Sequence, residues 1–419
     1  MFQKSVKRSR WRAWVQPWLE FDWLLFILPV GLTLFGGIMI RSTELNLGWA
    51  EWWQHWLVGG IGVVLAVSLA RSRYENLIQL KWVIYAATNI SLLAVIFIGT
   101  TALGAQRWIT IGGFNVQPSE FAKLGLIITL AALLHERTPD SLGSIFKTLA
   151  ITAVPWALVF LQPDLGTSLV FGAITLGMLY WGNTNPGWLL LLVSPVVATL
   201  LFSLYLPGWF AWTGLITLVG WRTLPWPYLG ALGTVVMNLI FGRVGSLLWG
   251  LLKDYQKERL TTFLNPEQDP LGAGYHLIQS RIAIGSGGLH GRGLYNGTQT
   301  QLNFIPEQHT DFIFSAIGEE FGFIGSLVVL VSFWLICLRL VLIAQNSKDT
   351  FGGLLAIGVL SMIVFQVVVN IGMTIGLAPV TGIPLPWLSY GRSALLTNFL
   401  ALGLVESVAY HREKVKKKF

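Results

Sequence analysis

The chain has 419 residues, of which 54% are hydrophobic and only 11% are charged, and its mean hydropathy is +0.63. Soluble domains carry about 25% charged residues, so this composition excludes an ordinary soluble domain and predicts an all-α polytopic membrane protein. The formal net charge of +8 is expected to reflect cytoplasmic loops and contact with anionic membrane lipids, and no nucleic-acid partner is expected.

In chain order, residues 1–20 form a basic and aromatic segment that suits the cytoplasmic membrane surface. Apolar runs long enough to span a membrane as helices, about 17–25 residues, follow. Twelve are predicted, near 22–40, 53–70, 82–100, 118–135, 147–162, 165–181, 187–206, 208–222, 226–251, 313–343, 352–377 and 394–410. We therefore expect one integral-membrane domain over residues 1–419, including an apolar segment at 207–252.

The distribution of basic residues predicts the orientation of these spans. If the N-terminus is inside, the loops on the cytoplasmic side are rich in Lys and Arg, and so is the tail 411–419. The loops around 41–52, 101–117, 253–312 and 379–392 then lie outside. The loop 253–312 is too long for a simple connection, which favours a functional role for it.

The end of this loop runs directly into an apolar helix at Asp311. Glu307 and His309 lie within the preceding four residues. An acid at the edge of hydrocarbon is a functional candidate, although Thr310 or Asp311 could instead be the N-cap of the helix. The concentration of titratable groups favours the functional interpretation.

Two further features of the loop are relevant to anion binding. Apolar residues at helical spacing predict a short amphipathic helix between Tyr275 and Ile284, and five glycines follow within 285–293. This run is interpreted either as a nest of backbone N–H groups for an anion or as a flexible turn. Arg259, Arg281 and Arg292 favour the first interpretation, because arginine suits bidentate phosphate recognition.

The outer loop near 101–117 ends in a predicted helix start. Pro118 suits the first turn, with Gln117 as the cap residue. Glu120 and Lys123 stand at i and i+3, so we expect them to pair on one face. The pair either neutralises two charges or holds charge beside a substrate. Proline breaks with polar residues recur at 162–168 and 379–392, and all of these breaks are predicted to gather at one outward-facing site.

The sequence resembles the SEDS family (shape, elongation, division and sporulation) of peptidoglycan glycosyltransferases. Five blocks carry the resemblance: Arg107-Trp108 through Gln117-Pro118-Ser119-Glu120-Phe121-Ala122-Lys123, Pro163-Asp164-Leu165-Gly166-Thr167-Ser168, Asp269-Pro270 to Gly291, Pro306-Glu307-Gln308-His309-Thr310-Asp311-Phe312, and Pro384-Leu385-Pro386 to Gly391. They occur in order over nearly the whole chain. Asn296-Gly297-Thr298-Gln299 is more similar to the elongation branch than to the division branch.

The resemblance implies a ten-helix bundle, here with an extra pair of spans near 208–251, in the bacterial inner membrane. It implies polymerisation of lipid II onto a lipid-linked glycan strand at the periplasmic face, with both termini cytoplasmic and a class B penicillin-binding protein as transpeptidase partner. Asp311 matches the essential acid and would be the general base. A divalent cation, Mg²⁺ or Mn²⁺, is possible. The remaining candidate substrate contacts are Arg107, Trp108, Glu120, Lys123, Arg259, Ser280, Arg281, Gly287, Arg292, Glu307, His309, Thr310, Ser389 and Tyr390.

Two alternative functions use the same features. A flippase for the lipid-linked precursor also needs a lipid-accessible groove and cations for the pyrophosphate, and a structural scaffold for a penicillin-binding protein needs neither. One departure from the family pattern concerns Arg392, which stands where the family has glycine. It is expected either to disturb close backbone packing or to add a phosphate contact.

Overall fold

The computed structural model describes residues 21–45, 51–102, 105–112, 114–139, 141–251 and 274–412, and the single residues 257, 263 and 266. The basic segment 1–20, Arg259, the segment 269–273 and the tail beyond Arg412 lie outside the described residues. Within the described ranges the helices are α1 (Trp23–Glu44), α2 (Trp52–Arg71), α3 (Asn76–Ile98), α4 (Pro118–Glu136), α5 (Leu142–Leu161), α6 (Leu165–Trp181), α7 (Pro186–Leu204), α8 (Leu206–Thr223), α9 (Pro227–Leu251), α10 (Tyr275–Gly287), α11 (Thr298–Gln301), α12 (Ile313–Gln345), α13 (Thr350–Thr374) and α14 (Arg392–Tyr410).

Each of the twelve predicted spans coincides with a long helix in this part of the chain. Ten of these helices are long and apolar enough to cross a membrane. The other two are α6, with 17 residues, and α8, with 18 residues. At 1.5 Å per residue they measure about 25 and 27 Å, close to the roughly 30 Å hydrocarbon core of a bilayer. The extra pair of spans predicted near 208–251 forms helices α8 and α9, and the crossing of the membrane by both stays a prediction.

The helix starts follow from local sequence. Pro118 occupies the first turn of α4 with Gln117 as the N-cap residue, as predicted. Asp164 caps α6 by accepting a hydrogen bond from the N–H of Thr167 at 3.2 Å. Asp349 caps α13 in the same way, with the N–H of Gly352 at 2.7 Å. Short polar residues therefore separate one apolar run from the next.

The arrangement of the helices separates a centre from an edge. Helices α4 and α14 are buried over most of their length, α14 packs along α2, and α13 packs against α4, α6 and α12. Helices α7, α8 and α9 pack chiefly on one another. Ser194 joins all three, because its hydroxyl donates to Asn238 Oδ1 at 2.9 Å and accepts from Trp212 Nε1 at 3.1 Å. The extra pair thus forms a three-helix unit with α7 at the edge of the bundle.

The loop near 101–117 contains a short antiparallel sheet that the sequence analysis did not predict. Strands β1 (Thr100–Ala102), β2 (Ala105–Ile111) and β3 (Phe114–Val116) are ordered β1-β2-β3. Ile111 pairs with Phe114, and Gly112 between them has a φ of +57°. The β-branched residues of β2 followed by glycine are typical of a hairpin.

The long loop before α12 is partly helical. The amphipathic helix predicted between Tyr275 and Ile284 is confirmed as α10, which packs against α12. Helix α12 is itself interrupted at Gly322, whose φ of 65° and ψ of −158° are not helical. This interruption opens the α12 backbone to the loop, which lies beside it.

Candidate active site

Asp311 lies in a tight turn directly before α12. Its backbone N–H and that of Thr310 both donate to the carbonyl of Glu307, each at 3.2 Å. Helix α12 begins at Ile313 with Phe312 as its N-cap residue. The alternative in which Thr310 or Asp311 caps the helix is therefore wrong, and capping does not explain the acid at this border.

Asn370 of α13 holds the Asp311 turn against a second loop. Its side-chain N–H groups donate to the carbonyl of Asp311 at 2.9 Å and to the carbonyl of Ile383 at 2.8 Å. The Asn370 side chain is fully buried. One amide thus joins the block around Asp311 to the proline-rich loop 375–391.

His309 and Tyr390 form a second contact between the same two loops. The N–H of Tyr390 donates to the carbonyl of His309 at 2.9 Å, and the two rings lie 5.8 Å apart. The phenol of Tyr390 donates to Gln54 Oε1 of α2 at 3.1 Å. The preceding residue, Ser389, is buried, and its hydroxyl accepts from the N–H of Leu385 at 2.8 Å. These bonds fix the tight end of the loop.

Burial sets the charge state of both rings. It lowers the pKa of His309, against the opposing effect of Glu307 and then Glu51. Burial, reinforced by the negative charge of Glu51, raises the pKa of Tyr390 to about 12. Both rings are therefore neutral near pH 7, and they offer hydrogen bonds rather than positive charge to a ligand.

The two outer blocks of the first half of the chain join the same region. Arg107 Nη1 lies 3.9 Å from Asp164 Oδ1, and its Nη2 donates to the carbonyl of Pro163. Gln117 donates from its side chain to Asp164 Oδ2 at 3.1 Å and from its backbone to Ser393 Oγ at 2.9 Å. Trp108, next to Arg107 on β2, is half-buried.

These contacts link four of the five motif blocks, those at 107–123, 163–168, 306–312 and 384–391. Ser393 follows the loop that carries Tyr390, and Tyr390 contacts the turn that carries Asp311. A β-carbon at Gly166 would lie only 2.6 Å from the carbonyl of Thr381, so the start of α6 also touches the 375–391 loop. The polar helix breaks therefore contact one another, as predicted, and the outward orientation of this site stays a prediction.

Glu120 and Lys123 form the predicted pair. Lys123 Nζ lies 2.8 Å from each carboxylate oxygen, and the two residues are 3% and 1% exposed. Because both oxygens contact the ammonium group, the pair is close to neutral inside α4. The contacts given above do not join this pair to the Asp311 turn, so its role in substrate binding stays a prediction.

Helix α10 is fixed by a buried serine and carries an exposed arginine. Ser280 Oγ lies 2.6 Å from Ser315 Oγ and donates to the carbonyl of Thr374 at 2.7 Å, which joins α10 to α12 and α13. Arg281 is exposed, and its side chain lies against Gly376, just past the end of α13. Ser280 therefore positions the helix, whereas Arg281 is accessible to a ligand.

The glycine-rich run packs on the interruption of α12. The N–H groups of Gly291, Arg292 and Gly293 donate to the carbonyls of Gly287, Glu319 and Glu320, at 2.8, 2.9 and 2.9 Å. A β-carbon at Gly287 would lie 1.9 Å from the carbonyl of Gly318. The interpretation of these N–H groups as an anion-binding nest is wrong, because they are used within the protein. Gly287 has a packing role, and the exposed Arg292 side chain, which donates to Thr298 Oγ1 at 3.0 Å, remains a candidate substrate contact.

Arg392 fits its position without disturbing the backbone. Its Nη1 lies 3.5 Å from Gln54 Oε1, and its guanidinium carbon lies 5.5 Å from the centre of the Phe114 ring. The arginine therefore bridges α2 and β3, and the expected clash does not occur.

Metal binding was left open by the sequence. Among the described residues, no group of three or more His, Cys, Asp and Glu side chains is arranged to hold a metal ion. Arg259, a further candidate phosphate contact, lies outside the described residues. The divalent cation and the role of Arg259 stay predictions.

Sequence reasoning missed the side chains that hold the site together, chiefly Asn370 and Gln308. Gln308 Nε2 donates to the carbonyls of Thr43 and Thr300 at 3.0 and 3.1 Å. Asn370 lies in a largely apolar run, where a polar amide is a signal that sequence can offer. Gln308 gives no comparable signal, because a glutamine in a polar loop is ordinary.

Comparisons with known proteins agree with this geometry. A model of the FtsW/RodA/SpoVE family, described as cell cycle protein, matches residues 22–414. Peptidoglycan glycosyltransferase RodA of Treponema pallidum (strain Nichols) is 36% identical, over 93% of this chain and 97% of the relative. Peptidoglycan glycosyltransferase MrdB of Escherichia coli (strain K12) is 36% identical, over 95% of this chain and 96% of the relative.

Solved structures show the same likeness. One is a chain from a peptidoglycan synthase complex, solved to show the structural coordination of polymerization and crosslinking. It superposes with a TM-score of 0.69 at 31% identity, covering 93% of this chain and 97% of that chain. The rod shape determining protein RodA of Thermus thermophilus superposes with a TM-score of 0.62 at 25% identity, covering 95% and 99%. The sequence motifs, the helical bundle and these likenesses together show that the chain belongs to the FtsW/RodA/SpoVE family.

Proposed function

We propose that the chain is a peptidoglycan glycosyltransferase that polymerises lipid II into glycan strands, with Asp311 as the general base. The observation that carries the proposal is the convergence of separate polar helix breaks on the turn that holds Asp311. Asn370, His309 and Tyr390 fix this turn. A carboxylate on a turn that is held in place by such contacts is suited to proton abstraction from a sugar hydroxyl.

The proposed reaction is a single displacement. The acceptor hydroxyl loses its proton to the Asp311 carboxylate while its oxygen forms a bond to the donor anomeric carbon. The bond from that carbon to the lipid pyrophosphate breaks, and the pyrophosphate takes the electron pair. Because the oxygen enters from the face opposite the leaving group, an α-linked donor gives a β-linked product. The diphosphate is already a good leaving group, so a second carboxylic acid is not required.

Exposed cations are suited to the departing pyrophosphate. The Arg281 and Arg292 side chains are both exposed on the loop that precedes the Asp311 turn. Lys123 is less suited, since both oxygens of Glu120 already contact its ammonium group. We therefore assign charge stabilisation to the two arginines.

The positive-inside pattern supports a periplasmic location for this site. Nine long helices, α1 to α9, precede Asp311 within the described residues. If each crosses the membrane and the N-terminus is cytoplasmic, Asp311 faces the periplasm and the C-terminus returns to the cytoplasm. Helix α8 and helix α9 both pack along α7, which favours crossing by both. The likeness to a chain of a peptidoglycan synthase complex favours a class B penicillin-binding protein as partner.

The test compares purified wild-type protein with Asp311→Asn in polymerisation of fluorescent lipid II, resolved by gel electrophoresis. We expect glycan strands from the wild type and a loss of at least about 100-fold in the variant, which is the lower end of the usual contribution of a general base. Glu75→Gln is the matched control, because Glu75 is the N-cap residue of α3, beyond the end of α2 that is remote from Gln54, and pairs at 3.8 Å with Lys348. It should retain activity.

Other outcomes separate the alternative functions. Normal polymer from Asp311→Asn would refute the assignment of the base. Transfer of lipid II across vesicle membranes by a wild type that makes no polymer would indicate a flippase. Absence of both activities, with and without a penicillin-binding partner, would indicate a scaffold.

A further inference from the structure

A second acid of α12 is fully enclosed. Glu319 lies in the second turn of this helix and is 0% exposed. A carboxylate inside a membrane-spanning helix is costly unless hydrogen-bond donors satisfy it. Nothing in the proposed displacement uses this residue, so the cost of burying its carboxylate requires another explanation.

The donors that satisfy Glu319 come from the start of α11. Its Oε1 accepts from the N–H of Gln299 at 2.8 Å and from the hydroxyl of Thr298 at 3.2 Å. Its Oε2 accepts from the N–H of Thr300 at 2.9 Å and from the Thr300 hydroxyl at 2.7 Å. Four donors therefore converge on one carboxylate, and bonds to a charged acceptor are the stronger kind.

The interruption of α12 allows this contact. At Gly322 the helix opens, and the carbonyls of Glu319 and Glu320 accept from the 292–293 backbone instead of from their own helix. This pairing lays the segment that leads to α11 along α12. A β-carbon at Gly297 would lie 2.7 Å from Glu319 Oε2, so the absence of a side chain there lets the backbone approach.

Thr300 transmits the anchor towards Asp311. Its N–H and hydroxyl bind Glu319, while its carbonyl accepts from Gln308 Nε2 at 3.1 Å. Gln308 also donates to the carbonyl of Thr43 at 3.0 Å, and the turn that contains it ends at Asp311. Two side-chain contacts thus connect the buried acid to the turn of the proposed base.

The neighbouring acid, Glu320, holds the other end of α11. It accepts from the hydroxyl of Ser42 in α1 and, at 3.4 Å, from Gln301 Nε2. Gln301 Nε2 also donates to the carbonyl of Ser42 at 3.1 Å. Both ends of α11 are therefore held by α12.

We infer that Glu319 is a positioning residue: its buried carboxylate anchors α11 and, through Thr300 and Gln308, fixes the turn that presents Asp311. The inference rests on the proposed function of Asp311. It assigns Glu319 no contact with substrate. It predicts that loosening α11 lowers turnover more than it alters substrate binding.

The test is Glu319→Gln in the purified full chain, read by hydrogen exchange and by polymerisation kinetics. The amide nitrogen replaces one oxygen and cannot accept a hydrogen bond, so either the N–H of Gln299 or that of Thr300 loses its acceptor. That N–H should exchange about 10-fold faster, for the loss of one bond worth ~1.4 kcal/mol. We expect kcat to fall by about 10- to 100-fold, as for a catalytic group displaced by about 1 Å, with KM within about 3-fold of the wild-type value.

Two further variants keep the test decisive. Thr300→Val removes the hydroxyl donor and should lower kcat. Thr300→Ser keeps that donor, so its kcat should stay near the wild-type value. Glu406→Gln is the matched control, because Glu406 is also a 0% exposed acid of a long helix but contacts Asp22, far along the chain from α11. It should change neither the exchange at α11 nor kcat.

Unchanged exchange in Glu319→Gln, or faster exchange with unchanged kcat, would overturn the inference, and so would equal kcat values for Thr300→Val and Thr300→Ser. Asp311→Asn should abolish polymerisation while α11 exchanges as in the wild type. If the wild type makes no polymer, the proposed function fails. Unaltered exchange in Glu319→Gln, by contrast, refutes only the anchor.

Discussion

Asn370 is the most direct test of how the site is held. Its side chain donates two hydrogen bonds, to the carbonyl of Asp311 at 2.9 Å and to the carbonyl of Ile383 at 2.8 Å. Asn370→Leu keeps much of the shape and removes both donors. The two carbonyls then lose their partner while the surrounding helices stay apolar.

The size of the effect follows from those two bonds. Leaving a buried acceptor without its donor costs about 1–3 kcal/mol, and hydrogen bonds between membrane helices average nearer 0.6 kcal/mol. We take about 2 kcal/mol for the pair. Since 1.36 kcal/mol corresponds to a tenfold change in rate, release of the Asp311 turn should lower kcat by up to about 30-fold.

The assay is lipid II polymerisation by purified protein, with thermal unfolding measured in parallel. Gln366→Leu is the matched control: Gln366 lies one turn from Asn370 on the same face of α13, is 0% exposed, and neither side-chain polar atom has a partner among the described residues. Its replacement removes an unsatisfied amide, so it should leave stability and activity unchanged or raise stability.

Polymerisation by Asn370→Leu at the wild-type rate, or equal impairment of Gln366→Leu, would contradict a specific role for Asn370. The second result would show that any polar loss in α13 is harmful. It would remove the specific connection between Asn370 and Asp311.

Three further predictions test the supporting structure. Gly291→Ala should lower the unfolding temperature more than Gly288→Ala. At Gly291 φ is +80° and a β-carbon would lie 2.1 Å from an α12 carbonyl, whereas at Gly288 φ is +56° and no atom lies within 4 Å of the β-carbon position. Equal losses of unfolding temperature would contradict the packing role of Gly291. Glu120→Gln should lower the free energy of unfolding by about 3–5 kcal/mol, because it leaves the buried Lys123 unpaired, and the double variant with Lys123→Met should recover part of that loss. Additive losses in the double variant would contradict the pairing. Burial lowers the pKa of His309, so the folded protein should lose stability as the pH drops below about 6.5, the pKa of histidine in an unfolded chain. His309→Asn should flatten this pH dependence in thermal unfolding. An unchanged pH profile in the variant would exclude His309 as the source of the dependence.

Local sequence identified the helices and the candidate acid because their signals are local. The apolar runs, Pro118 at the start of α4 and the spacing of Glu120 and Lys123 depend on neighbours within a few residues. The structure confirmed all three. The small sheet at 100–116 was missed because its strands are only three to seven residues long, too short for a clear period.

The function of the glycine-rich run could not be decided from sequence. Glycines free of side chains suit an anion-binding nest and a close backbone contact equally well. The difference depends on whether another chain segment approaches, and here the interrupted α12 does, at Gly287 and Gly291. The interruption at Gly322 was equally invisible, because a single glycine inside an apolar run is also compatible with a regular helix.

Hydropathy and motif spacing depend only on the order of residues along the chain. For this reason the sequence alone predicts a multi-span membrane protein, its family, and an acid at the start of a late helix. Only the tertiary structure decided what surrounds that acid. Asn370 contacts the carbonyl of Asp311 from 59 residues along the chain, and Gln308 ties the same turn to Thr43, 265 residues away. Such contacts exist only once the helices have packed, since no local pattern fixes which buried polar group meets which.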